Sequence, residues 1–320
     1  MAKEPLLQIG SITDRMAEAL DAKFDRTVLF DQVDRAAFLS ERGGEFRAIL
    51  TDGHWGVPED VAAATPNLKV VSSYGVGYDA IDAPAFADRG ILIAHTPNVL
   101  NDEVAVTAVM LWLAVYRGLV PADAHARSGA WEEKGFPLTR SPMDRRIGIL
   151  GMGRIGETIA GMVQAFRAEV HYHSRSEKDV PYAYHASPEA LAEAVDVLIV
   201  ITPGGPDTEK LVDAGVLAAL GKGGTLINVS RGSVVDEAAL VAALQDGTIA
   251  GAGLDVFEAE PKIPRGLKDM TERVVLTPHV GSATHETRQA MGDLVVRNLT
   301  RWLEDGTVET PVPECRSLNG

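Results

Sequence analysis

Cysteine is almost absent from this chain: Cys315 stands alone among 320 residues. A single thiol excludes an intrachain disulfide, and a reducing cytoplasm is the expected compartment. A free surface thiol is the role left for Cys315, because the closing turn-like stretch does not suit catalysis. Positive charge is also in deficit, with 30 Lys and Arg against 45 Asp and Glu and a net charge of −15. That balance argues against nucleic acid and anionic membrane as partners. It does not exclude a small anion held by local groups. Long apolar runs are missing as well. The longest, at 104–115 and 195–202, are too short to span a bilayer. The opening Met1-Ala2-Lys3-Glu4-Pro5 turns acidic too soon to read as a signal peptide. Repeats and low-complexity tracts are not seen.

Apolar residues make up 46% of the chain and charged residues 23%, which is ordinary for a globular protein. The length favours two domains over one core. The strongest local signal is Arg146-Ile147-Gly148-Ile149-Leu150 running into Gly151-Met152-Gly153-Arg154-Ile155-Gly156. An apolar strand ends in G-x-G-x-x-G, a helical pattern follows at 157–167, and a second strand follows at 168–172. In that setting the first Gly permits a tight turn and the second admits a pyrophosphate close to the backbone. The third lets helix and strand pack closely. The unpaired N–H groups of the helix start then face the phosphates. Gly151, Met152, Gly153, Arg154 and Ile155 are the expected pyrophosphate lining.

Short apolar runs alternate with helical patterns on both sides of this motif. Strands are expected at 6–9, 47–51, 69–72 and 91–95, and helices at 12–22, from 31–32 on to 41, and at 80–89. A long helix is expected at 101–119, with Asn101 or Asp102 as its cap. Residues 121–145 read as a connecting or interface loop. Further strands are expected at 146–150, 169–172, 197–202, 225–230, 251–254 and 274–276, and a last helix at 284–304. The fold class is therefore α/β, with two doubly wound parallel-sheet domains. A Rossmann cofactor domain (99–285) is inserted into a flavodoxin-like substrate domain (1–98 and 286–320).

Three later segments join the glycine turn. They are Asn228-Val229-Ser230-Arg231-Gly232, Gly253-Leu254-Asp255-Val256-Phe257-Glu258-Ala259-Glu260-Pro261, and Leu276-Thr277-Pro278-His279-Val280-Gly281. In this order and spacing, over essentially the whole chain, they resemble the D-isomer-specific 2-hydroxyacid dehydrogenases. Tyr74-Gly75-Val76-Gly77-Tyr78-Asp79, His173-Ser174-Arg175-Ser176 and His279-Val280-Gly281-Ser282-Ala283-Thr284 make the glyoxylate/hydroxypyruvate reductases the nearest resemblance within that family. The resemblance implies reduction of a 2-keto acid to a D-2-hydroxy acid.

That chemistry needs a cation for the substrate carboxylate, an acid for the developing alkoxide, and a group that keeps the acid protonated. Arg231 suits the first, since guanidinium binds carboxylate in a planar fork. His279 suits the second as the side chain that titrates nearest neutrality. Glu260 suits the third by hydrogen bonding to the imidazole. The resemblance gives these three positions the same roles. Each alone has a plainer explanation: a solvated arginine past a strand, an acidic loop, a structural histidine after Thr-Pro. Together, after a dinucleotide turn, they read as catalytic.

The resemblance also implies that Val76 and Gly77 offer backbone N–H groups to the substrate carboxylate, with Ser282 nearby. It places Asp255 on the nicotinamide carboxamide and Thr107 on a phosphate. Thr202, Pro203, Val229 and Gly281 join His279 along the cofactor. For the adenosine ribose, an NAD site carries an acid about 20 positions past the turn. Here Ser174 takes that place and Arg175 and Ser176 follow. Such residues neutralise and hydrogen-bond a 2′-phosphate, so NADP(H) is the expected cofactor, with NAD(H) as the alternative. His171 and His173 alternate on a strand but suit adenosine-side contacts better than a metal, and no metal site is expected.

A small 2-keto acid such as glyoxylate or hydroxypyruvate is the expected substrate. A bulkier acid of the phenylpyruvate or 2-ketogluconate type, or a cofactor-sensing protein without turnover, is the alternative. The family usually forms dimers through the region around 121–140, so a homodimer is expected. Trp131 and Phe136 are then either interface aromatics or a satellite core of their own subunit.

Overall fold

The computed structural model describes residues 3–320. The chain forms two compact units, Met1–Leu100 with Thr284–Gly320, and Asn101–Ala283.

The first unit opens with β1 (Glu4–Gln8), α1 (Asp14–Asp21), β2 (Phe24–Val28), α2 (Arg35–Arg42), β3 (Ala48–Thr51) and α3 (Glu59–Ala64). It continues with β4 (Val70–Ser73), α4 (Ala83–Asp88) and β5 (Leu92–Ala94). Its five strands are all parallel, in the order β2-β1-β3-β4-β5. That is the flavodoxin-like order, and its direction reverses between β1 and β3. Every residue of β3, β4 and β5 is buried, as expected of strands covered on both faces.

The second unit starts with α5 (Asn101–Arg117) and α6 (Leu119–Arg127), then runs β6 (Arg146–Leu150), α7 (Arg154–Val163), β7 (Glu169–His173) and β8 (Ala183–Tyr184). It goes on through α8 (Pro188–Ala194), β9 (Val197–Val200), α9 (Ala214–Leu220), β10 (Thr225–Asn228), α10 (Glu237–Gln245), β11 (Gly251–Leu254), α11 (Arg265–Lys268) and β12 (Val274–Leu276). Its seven parallel strands lie in the order β12-β11-β10-β9-β6-β7-β8. Counted from β6 as first, this is the Rossmann order 3-2-1-4-5-6 with one more strand added, and it reverses between β6 and β9. Leu198, Val200, Leu226 and Leu254 join Leu191, Val216, Leu217 and Leu240 in one core on a face of this sheet. The long helix α12 (His285–Asp305) belongs to the first unit, where it packs on α1 and β4.

Several local features differ from the expectation. Residues 121–145 are not all loop, because α6 and a 3-10 turn at Ala130–Glu132 occupy part of them. Pro121 sits in the first turn of α6, where a backbone N–H has no helical partner to lose. The helix expected to reach 119 stops at Arg117, because Gly118 adopts a φ of 55°. Asn101 and Asp102 lie within its first turn. β2 and α3 were not expected. β2 is an edge strand with one buried residue, Phe24, so it carries no apolar run. Cys315 is no surface thiol: it is fully buried, and burial pushes its thiol up. Trp131 is 71% exposed, which removes it from any core of its own subunit, whereas Phe136 packs edge-on against His125.

Among the described residues no single helix is long and apolar enough to cross a membrane. α5 and α6 reach that length only as a pair bent by 59°. α5 buries Leu111 and Trp112 completely within the protein.

Candidate active site

The chemistry-bearing residues of the second unit gather at the carboxyl ends of its strands, the ligand-binding end of open α/β sheets. At the end of β6, Gly151 turns the chain with a φ of 114°, and its N–H donates to the His173 carbonyl at 2.9 Å. A side chain is excluded there, since a Cβ would lie 2.8 Å from the Ile201 carbonyl carbon. Gly156 is as constrained, with a Cβ position 2.2 Å from the Gly151 oxygen. Gly153 precedes α7 without a side-chain cap, and the space beside it is open for 4 Å. The first N–H groups of α7 are thus left for a ligand. Met152 turns its side chain inward, so only its backbone can serve the turn, while Arg154 is exposed and Ile155 half-buried.

The neighbouring strand ends complete this cradle. After β7, Ser174 Oγ donates to the Ser176 carbonyl at 2.6 Å and shapes an exposed loop that carries Arg175. No carboxylate occurs from Val170 to Ser176. After β9, Thr202 Oγ1 is buried without a hydrogen-bond partner, an orphaned polar atom beside the glycine turn. Pro203 follows it at the surface, Val229 is buried after β10, and Thr107 is buried on α5. A glycine turn closed by sterics, an uncapped helix start and an unsatisfied hydroxyl together fit a dinucleotide.

Arg231 follows β10 and is half-buried. Asn228 shapes its turn: Asn228 Oδ1 accepts from Ser230 N at 3.0 Å and Ser230 Oγ at 2.9 Å, while Asn228 Nδ2 donates to the Arg231 carbonyl at 3.0 Å. Arg231 Nη1 donates to the Ser230 carbonyl at 2.9 Å.

Glu260 and His279, 19 residues apart in sequence, meet directly, with Glu260 Oε2 2.8 Å from His279 Nδ1. The other carboxylate oxygen of Glu260 accepts from Phe257 N at 3.0 Å. With Nδ1–H given to the carboxylate, the far nitrogen of the ring is the one left to exchange a proton with a substrate. His279 has a φ of 53°, uncommon outside glycine.

Asp255 holds that conformation. Its carbonyl accepts from His279 N at 2.8 Å. Its carboxylate accepts from Thr277 Oγ1 at 2.6 Å, Val280 N at 2.8 Å and Gly281 N at 2.8 Å. Asp255 is 2% exposed and spends most of its acceptor capacity on the histidine loop. Gly281 is buried beside it, and Ser282 follows half-buried.

In the first unit, Val76 and Gly77 follow β4. The Val76 carbonyl lies 2.9 Å from Nδ1 of the buried His95, and the Gly75 carbonyl accepts from Thr96 N at 2.9 Å. Tyr74 Oη donates to the Arg288 carbonyl at 2.9 Å. The His95 contact was not foreseen, because nothing local to His95 marks a residue that pins a loop 19 positions earlier.

His171 and His173 each have their Nδ1 engaged within the protein. His171 Nδ1 is 3.0 Å from His185 Nε2, and His173 Nδ1 is 2.8 Å from the His185 carbonyl. Burial, then the neighbouring His171 and His173, pushes His185 down. Among the described residues no group of three His, Cys, Asp or Glu side chains could hold a metal.

Residues 109–281 match the family model described as D-isomer specific 2-hydroxyacid dehydrogenase, NAD binding domain. A 2-ketogluconate reductase of Gluconobacter oxydans is 46% identical over 97% of this chain and 99% of its own. A hydroxyphenylpyruvate reductase of Plectranthus scutellarioides is 40% identical over 96% and 98%. Among solved structures, an NADPH-dependent glyoxylate/hydroxypyruvate reductase of Sinorhizobium meliloti, in complex with NADP and malonate, superposes with a TM-score of 0.92. It is 45% identical and covers 98% of each chain. This chain belongs to the D-isomer-specific 2-hydroxyacid dehydrogenases, a family of NAD(P)-dependent oxidoreductases.

Proposed function

We propose that this protein uses NADPH to reduce a small 2-keto acid, glyoxylate or hydroxypyruvate, to the D-2-hydroxy acid. The observation that carries this reading is the 2.8 Å contact between Glu260 and His279 in the same unit as Arg231 and the glycine turn. The bound cofactor supplies the hydride. Arg231 holds the substrate carboxylate and polarises the carbonyl. His279 gives its ring proton to the oxygen as negative charge develops there, and Glu260 keeps the ring oriented. Val76 and Gly77 donate backbone N–H groups to the carboxylate, and Ser282 is assigned to the substrate.

Residues 99–285 are assigned as the NADP-binding domain, and 1–98 with 286–320 as the substrate-binding domain. Gly151, Met152, Gly153, Arg154 and Ile155 face the pyrophosphate through their backbone. Ser174, Arg175 and Ser176 take the 2′-phosphate. Thr107, Thr202, Pro203, Val229, Asp255, His279 and Gly281 line the remainder. Preference for NADPH is supported by the absence of a carboxylate from Val170 to Ser176 and by the NADP bound to the similar reductase of Sinorhizobium meliloti.

A second reading, the same chemistry on a bulkier acid, is supported by the 46% identity to a 2-ketogluconate reductase. Initial rates with NADPH and NADH on glyoxylate, hydroxypyruvate, phenylpyruvate and 2-ketogluconate separate the two. NADPH-dependent turnover that favours the two smallest acids supports the first, and preference for a larger one replaces it with the second. Tight cofactor binding with silence on every acid removes both and leaves a sensing protein. A homodimer is assigned to the region around 121–140, which carries the exposed Trp131. The buried lone cysteine fits a cytoplasmic location.

A further inference from the structure

Glu237 opens α10, a place where its neighbour Asp236 already serves as cap by accepting from Ala239 N at 3.0 Å. Glu237 does something else. Its side chain accepts the N–H of Glu258 at 2.9 Å, in the loop that follows β11. The residue is 9% exposed. Burial first, then the negative charges of Glu258 and Glu260, pushes its carboxyl up. A buried carboxylate is a costly acceptor for one hydrogen bond, so what that bond holds matters.

The bond holds the Phe257–Glu258 peptide, and a second contact grips the same peptide. Gly232 packs so closely that a Cβ would lie 1.8 Å from the Phe257 carbonyl carbon and 2.2 Å from Glu258 N. The segment from Arg231 to Glu237 therefore clamps this peptide at both its ends. One bond further on, Phe257 N donates to Glu260 Oε1 at 3.0 Å, and Glu260 Oε2 meets His279 Nδ1 at 2.8 Å. The line from Glu237 to the imidazole is continuous and runs through a loop with no regular secondary structure of its own.

We propose that Glu237 is a positioning residue for the reduction: it tethers the 257–260 loop so that Glu260 engages His279. The proposal rests on the reading of Glu260 and His279 as the proton-donating pair. Glu237 itself touches neither substrate nor cofactor.

Two variants separate the tether from its charge. Glu237→Met fills the same space without an acceptor, and Glu237→Gln keeps an acceptor without the charge. Glu237→Met is expected to lower kcat for 2-keto acid reduction by roughly tenfold or more, as small misplacements near a reacting centre do. It also changes the pH profile of kcat/KM, because the imidazole loses the carboxylate that holds it. NADPH affinity stays within about twofold, since the glycine turn is untouched. Glu237→Gln is expected to keep the wild-type profile. Glu237→Ala replaces the Met variant if that one does not fold. A Met variant with a lower Tm and an unmoved pH profile overturns the proposal by showing a purely structural role. A Gln variant that behaves like Met overturns it by showing that charge, not the tether, matters. The NMR ring-proton titration of His279 reads the same coupling without turnover. If the wild type reduces no 2-keto acid, the proposed function fails, while a His279 titration shifted in Glu237→Met and not in Glu237→Gln still upholds the tether.

Discussion

Two glycine-bearing turns follow buried strands in this protein, and they are glycine-rich for different reasons. The turn after β6 is a steric necessity. Gly151 has a φ of 114°, and Gly156 stands where a Cβ would meet the Gly151 oxygen at 2.2 Å. At Gly75, in the turn after β4, glycine is not such a necessity. Gly75 keeps an ordinary φ, and its Cβ would have 3.5 Å to its nearest neighbour. That loop takes its shape from outside, from His95 on the Val76 carbonyl and Thr96 on the Gly75 carbonyl. One turn requires glycine at Gly151 and Gly156, and the other has its backbone held by residues outside it. The first can be read from a short motif, and the second only by resemblance to a family.

The sharpest break between the two units is chemical. His279→Ala is expected to cut kcat by about a hundredfold or more, the range typical of a lost general acid, while NADPH binding measured by fluorescence titration is retained. If cofactor binding is lost with turnover, the acid role is wrong. Next comes the steric contrast. Gly156→Ala forces its methyl into a backbone oxygen and is expected to destabilise the protein by about 1–3 kcal/mol, with NADPH binding weakened too. Gly75→Ala is expected to leave Tm nearly unchanged. Similar melting temperatures for both variants would dissolve that contrast. Ser174→Asp with Arg175→Ala places a carboxylate where a 2′-phosphate is assigned, and the NADPH-to-NADH ratio of kcat/KM is expected to fall by roughly tenfold or more. An unchanged ratio would place the phosphate elsewhere.

The smallest effect lies at the opposite ends of the strands. Burial pulls Asp196 upward, but the N–H and guanidinium of Arg146, each at 2.9 Å, outweigh it and hold it below an aspartate's usual 3.8. A carboxyl lowered by folding stabilises above its unfolded value, and that contribution fades as pH falls through the folded one. Arg146 is half exposed, so Asp196→Asn should cost well under about 1 kcal/mol at pH 7. In urea melts the gap to wild type should close in acid below that 3.8. A gap that persists there points to packing instead of charge.

Legibility followed the same divide between local and borrowed causes. Strands β11 and β12 coincide with the expected 251–254 and 274–276: β11 is buried along its whole length, and β12, at the sheet edge with only Val274 buried, still keeps an unbroken apolar run. β2 escaped because an edge strand needs only Phe24 inside. α6 escaped because Pro121 reads as a breaker unless the helix start is known. In the site, Arg231, Glu260 and His279 were named from their motifs, and Glu260 and His279 do meet. Asn228, His95 and Glu237 were not named for what they do. Each acts by holding a backbone group, and for His95 and Glu237 the partner lies some twenty positions away in sequence. The opposite surprise was Asp255, assigned only to the cofactor, whose carboxylate is largely spent on the His279 loop.

The buried thiol has a practical side. Cys315 is fully enclosed, its Sγ sits 3.5 Å from the Ile91 carbonyl, and burial disfavours its thiolate. Maleimide reagents attack thiolates that they can reach, so the folded protein offers them a silent background. A cysteine placed at an exposed position such as Val33 would be the one reactive handle for a fluorophore. No native cysteine would have to be removed first, so a label at one chosen position can be followed in a chain otherwise unchanged.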